Sequence, residues 1–253
     1  MKKFLALSLA VLCLFSLSGC VMVNLGGLGD KIADKLDGAT AKGEGRINTE
    51  PYAVSDIQEI ILSGGRMELV YLQGNTSKLE IQAYENLFNY LEVIDNKGKV
   101  TIKASRTFLD NDSVKIFLTA PTLEGIEING AVDIKEADPI VGTKLELRIS
   151  GAGSLDLELD VEKLVSVTSG AGNLKLKGSA EDTTMTISGA GAIQAFDLVT
   201  KTTEVKITGA GGAFVNCSDD LRVTITGAGG CQYMGEAKVT PSITGVGSIK
   251  KKE

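Results

Sequence analysis

The chain has 253 residues, a formal net charge of −6, four cysteines, and neither histidine nor tryptophan. The acidic balance argues against nucleic acid and against electrostatic attachment to anionic lipid. Without histidine there is no His-based triad, no His-ligated zinc and no imidazole proton shuttle, and no catalytic residue, metal or cofactor is assigned.

The chain opens with Lys2 and Lys3, followed by an apolar run over residues 4–15. That run is too short for a permanent membrane helix and has the form of a cleaved signal. It ends in Leu17-Ser18-Gly19-Cys20, which resembles a bacterial lipobox. The resemblance implies that residues 1–19 are removed and that Cys20 carries lipid. Two or three acyl chains, at about 0.8 kcal/mol per buried methylene, anchor a protein stably where one does not. The implied location is the bacterial envelope, with the membrane as a partner through the anchor, and leaflet and surface exposure left open. Residues 20–45 are rich in glycine and small charged groups and are expected to form a flexible tether. Residues 46–253 then form one domain.

In its first part, residues 57–65 read as a strand running into a Gly64-Gly65 corner. Short strands follow at 79–83, 91–94, 100–104 and 114–119, with Asn96-Lys97-Gly98 as a turn. Between them, Asp110-Asn111-Asp112 reads as a loop. From residue 126 a glycine phrase takes over. The first glycines of six copies of S/T-G-A/V-G are Gly151, Gly170, Gly189, Gly209, Gly227 and Gly245, at intervals of 19, 19, 20, 18 and 18. A fixed period near twenty in a sequence alternating Ile, Val, Leu and Thr predicts stacked β-coils: an all-β parallel β-helix, or β-solenoid, with coils of about 18–21 residues. About 200 residues at nineteen per coil give roughly ten coils.

Stacking the copies produces two apolar columns. One holds Ile149, Thr168, Ile187, Ile207, Ile225 and Ile243; the other holds Leu155, Leu174, Ile193, Ala213, Cys231 and Ile249. Both are expected to point inward. Strand alternation then points both glycines of each phrase inward too, as a tight corner that exploits the lack of a side chain and the unusual φ values open to glycine. A phosphate loop is excluded because no helix follows any copy. Stacked calcium sites are excluded because the column after Asp156 continues Lys175, Gln194, Phe214, Gln232 and Lys250. Cys231 reads as a small buried hydrophobe, and a bridge to Cys217 would need an irregular loop.

Outward, the corners present Ser150, Ser169, Ser188, Thr208, Thr226 and Thr244 in one column. Its rungs are spaced about 4.8 Å apart. Two readings stand: corner geometry filled by sheet-favouring residues, or a binding face for a repeating ligand such as a glycan, or for a protein. Ice-binding solenoids carry similar hydroxyl arrays, but Arg148 and Lys206 interrupt this one. Phe214 and Tyr233 read as isolated aromatics. Asp219-Asp220, the leading carboxylates for a carbohydrate-active β-helix enzyme, read as a turn pair, and Lys250-Lys251-Lys252 puts charge on the last coil's open edge.

The order of motifs resembles one family. A strand enters S-G-G, then come K-L-E-I-Q-A, K-G-K-V-T-I-K, V-K-I-F-L-T-A-P-T-L-E-G-I-E-I-N-G-A and the G-A-G array. This is similar to the head GIN domain, the auto-transporter adhesin family of bacterial envelope proteins, over about residues 57–249. The resemblance implies a right-handed β-helix and an adhesin-like, non-catalytic role, and supplies no ligand residues. The family's usual I-x-x-S-G-S-G-D entry is here Ile60-Ile61-Leu62-Ser63-Gly64-Gly65-Arg66, without the acid. The alternatives are a carbohydrate-active enzyme and a periplasmic structural or sensing accessory.

Overall fold

The computed structural model describes residues 39–109 and 114–252. Residues 1–19, expected to be a signal, Cys20 and Asp110-Asn111-Asp112 lie outside the described residues. The remainder is a β-solenoid of about 7 turns.

The regular half runs through strands Gly125–Ala137, Ile140–Ile149, Ser154–Thr168, Asn173–Ile187, Ala192–Ile207 and Gly212–Ile225, and ends in Gly230–Met234, Lys238–Ile243 and Ser248–Lys251. Each coil pairs in parallel with the next. Both apolar columns form in the expected register, Ile149↔Thr168↔Ile187↔Ile207↔Ile225↔Ile243 and Leu155↔Leu174↔Ile193↔Ala213↔Cys231↔Ile249. They are buried until the last coil, where Ile243 is 45 % exposed because no further coil covers it. Burying one Ile or Leu side chain contributes about 1.5–3 kcal/mol, so the repeated column is the main source of cohesion between coils.

Coil length and strand alternation are linked by parity. Side chains alternate with period two, so an even coil returns each inward residue to the inside and an odd coil must slip once. In the 19-residue coils the slip falls between Val161 and Leu164 and between Ala180 and Thr183, all four buried. The 20-residue coil slips twice, from Ala195 to Leu198 and from Thr200 to Thr203. The following 18-residue coil keeps its parity: Ala213, Val215, Cys217, Leu221, Val223 and Ile225 are buried at even spacing, with Asp219 exposed between Cys217 and Leu221. The two slips of the 20-residue coil coincide with register shifts against its neighbours.

The corner glycines are required mainly by stacking. The second glycine of the phrase is buried and points inward as expected: a Cβ on Gly172, Gly191, Gly211 or Gly229 would lie 2.5–2.9 Å from a Cγ2 methyl of Ile149, Thr168, Ile187 or Ile207. The first glycine does not point inward. A Cβ on Gly170, Gly189, Gly209 or Gly227 would lie 2.0–2.4 Å from the carbonyl oxygen of the equivalent glycine one coil earlier. Among the array glycines only Gly245, with φ 139°, has left-handed backbone. The expectation of unusual φ therefore fails for the other copies, and close approach of neighbouring backbones replaces it as the cause.

The first half departs from simple coiling, which is why about 7 turns form where division by nineteen predicts ten. Glu59–Gln73 pairs in parallel with Gly125–Ala137, Lys99–Ala104 and Val114–Ala120. Lys78–Tyr84 runs antiparallel to Val114–Ala120 and Ile47–Tyr52, and Leu91–Asn96 forms an antiparallel hairpin with Lys99–Ala104 through Lys97 (φ 53°) and Gly98 (φ 90°). The 3-10 turn Glu85–Tyr90 buries Leu87. Hairpins and this turn consume residues without adding coils.

The folded body also begins earlier than residue 46. Thr40–Ala41 pairs in parallel with Thr107–Phe108, and Ala41 is buried. The Asn86 side chain accepts from the Glu44 N–H at 2.8 Å and donates to the Lys42 carbonyl at 2.8 Å. The end of the expected tether is thus docked. At the far end of the sheet Ser248–Lys251 carries its lysines, and at the opposite edge Ile47–Tyr52 carries Pro51, both devices that discourage strand addition.

Candidate functional site

The six corner hydroxyls lie on one outer face, all exposed. Their backbones are fixed by the coil before: the N–H groups of Ser169, Ser188, Thr208, Thr226 and Thr244 donate to Ile149, Thr168, Ile187, Ile207 and Ile225 at 2.7–2.9 Å. Ser150 spends its hydroxyl within the protein, donating to the Asn129 side chain and to the Ile128 carbonyl at 3.3 Å. The other five make no side-chain hydrogen bond among the described residues, so they remain open to solvent or ligand.

Two further outward columns flank this ladder. One runs Ile61, Glu127, Arg148, Val167, Thr186, Lys206, Thr224 and Ser242; the other runs Glu146, Val165, Thr184, Glu204, Arg222 and Thr240. Val165, Val167, Thr184 and Thr186 form a small β-branched patch between two charged bands. In the first band Glu146 pairs with Arg148 and with Lys144 at 3.7 Å; in the second Lys206 pairs with Glu204 at 3.0 Å. These ion pairs are substantially exposed, so each contributes at most about 1 kcal/mol, and they shape the face more than they stabilise it. Lys99, which meets Glu59 at 2.7 Å, has its pKa raised by that hydrogen bond.

The remaining candidates resolve simply. Asp156 and Lys175, adjacent in the column that ruled out calcium, form an ion pair at 3.0 Å between coils. Asp219 and Asp220 lie exposed within the strand Gly212–Ile225 and not in the expected turn, and Asp219 accepts from the Ser218 hydroxyl at 2.5 Å. Among the described residues no group of three or more Cys, Asp and Glu is placed to hold a metal. Cys217 and Cys231 are both free and buried. Cys217 directs its sulfur at the Lys201 carbonyl, 3.1 Å away, and burial pushes the Cys231 thiol up to about 12. No helix among the described residues is long and apolar enough to cross a membrane.

Sequence reasoning missed one constellation. Phe214 is not isolated: it meets Phe196 edge-on, with ring centroids 5.5 Å apart. Together with Lys175, Gln194 and Asp197 the two rings line an outer groove of about 330 Å³. Phe196 falls outside the outward column because it sits in a bulge, and the 20-residue interval was its only trace in the sequence.

Comparison with known proteins agrees with this architecture. The family described as "Putative auto-transporter adhesin, head GIN domain" matches residues 56–237, well over half of the chain. Among solved structures, a putative adhesin from Bacteroides fragilis is 25% identical with a TM-score of 0.78, covering 84% of this chain and 100% of its own. A putative lipid binding protein from Parabacteroides distasonis (23% identical, TM-score 0.65) and a putative adhesin from Parabacteroides merdae (21% identical, TM-score 0.58) each cover 85% of this chain and 100% of their own, and share the fold. No curated protein matches.

Proposed function

The chain belongs to the head GIN domain family of auto-transporter adhesins, and from that premise we propose that it is a non-catalytic, lipid-anchored envelope protein that binds by an outer face of its solenoid. One observation carries the reading: five hydroxyls without internal partners repeat in register on a parallel sheet whose backbone is hydrogen-bonded coil to coil. Such a face costs little ordering on binding, and a ligand with its own repeat can engage several weak contacts at once. A glycan or a protein presenting regularly spaced polar groups fits it. Attachment through Cys20 rests on the Leu17-Ser18-Gly19-Cys20 box, and the membrane is then the second partner.

Protease accessibility on intact cells tests this, with an epitope after Glu253 and a fractionation control. Digestion of the body on unbroken cells supports adhesion. Full protection until the envelope is opened removes adhesion and leaves a periplasmic role. Release of sugar from a soluble polysaccharide, abolished by Asp219→Asn with Asp220→Asn, would overturn the non-catalytic part of the proposal.

A further inference from the structure

On a different face, the 20-residue coil carries an irregularity in its pairing with both neighbours. Lys175 pairs with Gln194 and Lys177 with Asp197, so Ala195 and Phe196 stand opposite Leu176 alone. On the other side Ala195 pairs with Val215 and Val199 already with Asn216, so residues 196–198 have no counterpart on the following strand. This is a β-bulge, the kind of insertion that re-aims a side chain and that concentrates next to functional sites. Its effect is visible residue by residue: Leu198 turns inward and is buried, Asp197 is exposed, and Phe196 is brought out beside Phe214.

The bulge is pinned. Asn216 Nδ2 donates to the Phe196 carbonyl at 3.2 Å, so the backbone group freed by the lost pairing has a partner. Thr200 Oγ1 donates to the Asn216 carbonyl at 2.8 Å and lies 2.6 Å from Thr203 Oγ1, in a buried polar relay beneath the ledge. From the chain's far end the Lys252 ammonium lies 4.2 Å from the Phe196 centroid, a cation–π contact that fixes that ring. The groove is therefore preorganised, which lowers what a ligand must order on binding.

We propose that this groove is a glycan subsite, taking one pyranose ring of a neutral, equatorially substituted saccharide. The inference rests on the binding role proposed above and names its ligand class. Such a ring has an apolar face of axial C–H groups and a rim of hydroxyls. Phe214 supplies an aromatic surface for the first. For the second, the Asp197 carboxylate accepts from neighbouring hydroxyls, the Gln194 amide donates and accepts, and the Lys175 ammonium donates. The volume of about 330 Å³ suits one ring and not a longer buried chain, so neighbouring sugars run over the open surface.

Saturation-transfer NMR and calorimetry on the full-length chain, with cellohexaose and chitohexaose as probes, test it. At least one probe should show transfer to its axial ring protons, and Phe214→Ala and Asp197→Ala should each weaken its binding at least tenfold. Asp197 is exposed, so its variant keeps the fold, checked by circular dichroism. Glu80→Ala, an exposed position on Lys78–Tyr84 that belongs to neither the hydroxyl ladder nor the groove, should leave that affinity unchanged. Binding of neither probe, or undiminished binding by Phe214→Ala and Asp197→Ala, overturns the subsite. Those outcomes leave the adhesion reading to the intact-cell experiment. Conversely, binding as expected by a body that intact cells protect keeps the subsite and removes adhesion.

Discussion

Gly189→Ala isolates the stacking contact on which the regular half depends. Gly189 is outside the left-handed φ region, so backbone strain is not the cause of any loss. Its added Cβ would sit 2.0 Å from the Gly170 carbonyl oxygen and 2.8 Å from that of Ser169. Real Cβ atoms essentially never come closer than 3.0 Å, so the two coils must part by about 1 Å at the corner. The bonds holding them there, Ala190 N–H to the Gly170 carbonyl at 3.2 Å and Ser188 N–H to the Thr168 carbonyl at 2.9 Å, would then be stretched beyond useful range. Two lost hydrogen bonds at about 0.5–1.5 kcal/mol each, with about 1–3 kcal/mol for overpacking, give a destabilisation of about 2–6 kcal/mol. Urea unfolding should show it as a lower midpoint. The control is Gly142→Ala, where a Cβ meets nothing within 4 Å. It should be neutral to slightly stabilising, by up to about 1 kcal/mol, through the unfolded chain. A Gly189→Ala midpoint within about 0.5 kcal/mol of the parent would refute the stacking account, because the coils would have absorbed the methyl group at no cost.

Three further outcomes are expected. Thr168 replaces an isoleucine in the inward column and its buried hydroxyl has no hydrogen-bond partner among the described residues, so Thr168→Val should raise stability by about 1 kcal/mol, and a fall in the urea midpoint would contradict this. Both body thiols are buried, and Cys231 is pushed up to about 12, so a thiol reagent at pH 8 should modify neither the Cys217 nor the Cys231 peptide, as mapped by mass spectrometry, until the chain is unfolded. Asp95 accepts from the Ser55 N–H at 2.6 Å, the Ser55 hydroxyl at 2.7 Å and the Gly98 N–H at 3.1 Å, which hold its carboxyl below the usual range. With the folded pKa below the unfolded one, its contribution is complete above the ordinary carboxylate range and lost as pH falls through the folded value. Asp95→Asn should therefore be less stable than the parent at pH 7, with the gap closing in acid; an equal gap at pH 3 would rule out this linkage.

The sequence by itself determined the coil, its period, the two inward columns and the exposure of the corner hydroxyls. Each follows from strand alternation, which is written along the chain with period two and repeats at the glycine phrase. It also carried the family, through the order of its short motifs. The tertiary structure decided what depends on contacts perpendicular to the chain. Gly170 and its equivalents face the coil before them, a direction that alternation within one strand does not specify. The antiparallel pairing of Lys78–Tyr84 and Leu91–Asn96, which reduced the number of turns, is a choice of partner between strands of the same texture. The docking of Thr40–Ala41 on Thr107–Phe108 is likewise a long-range pairing. The groove at Phe196 and Phe214 was hidden for the same reason. Intervals of 20 and 18 were legible, but where in the longer coil the additional residues leave the sheet is settled only when the two coils lie side by side. There Leu198 takes the inward place, and Phe196 is left outside next to Phe214.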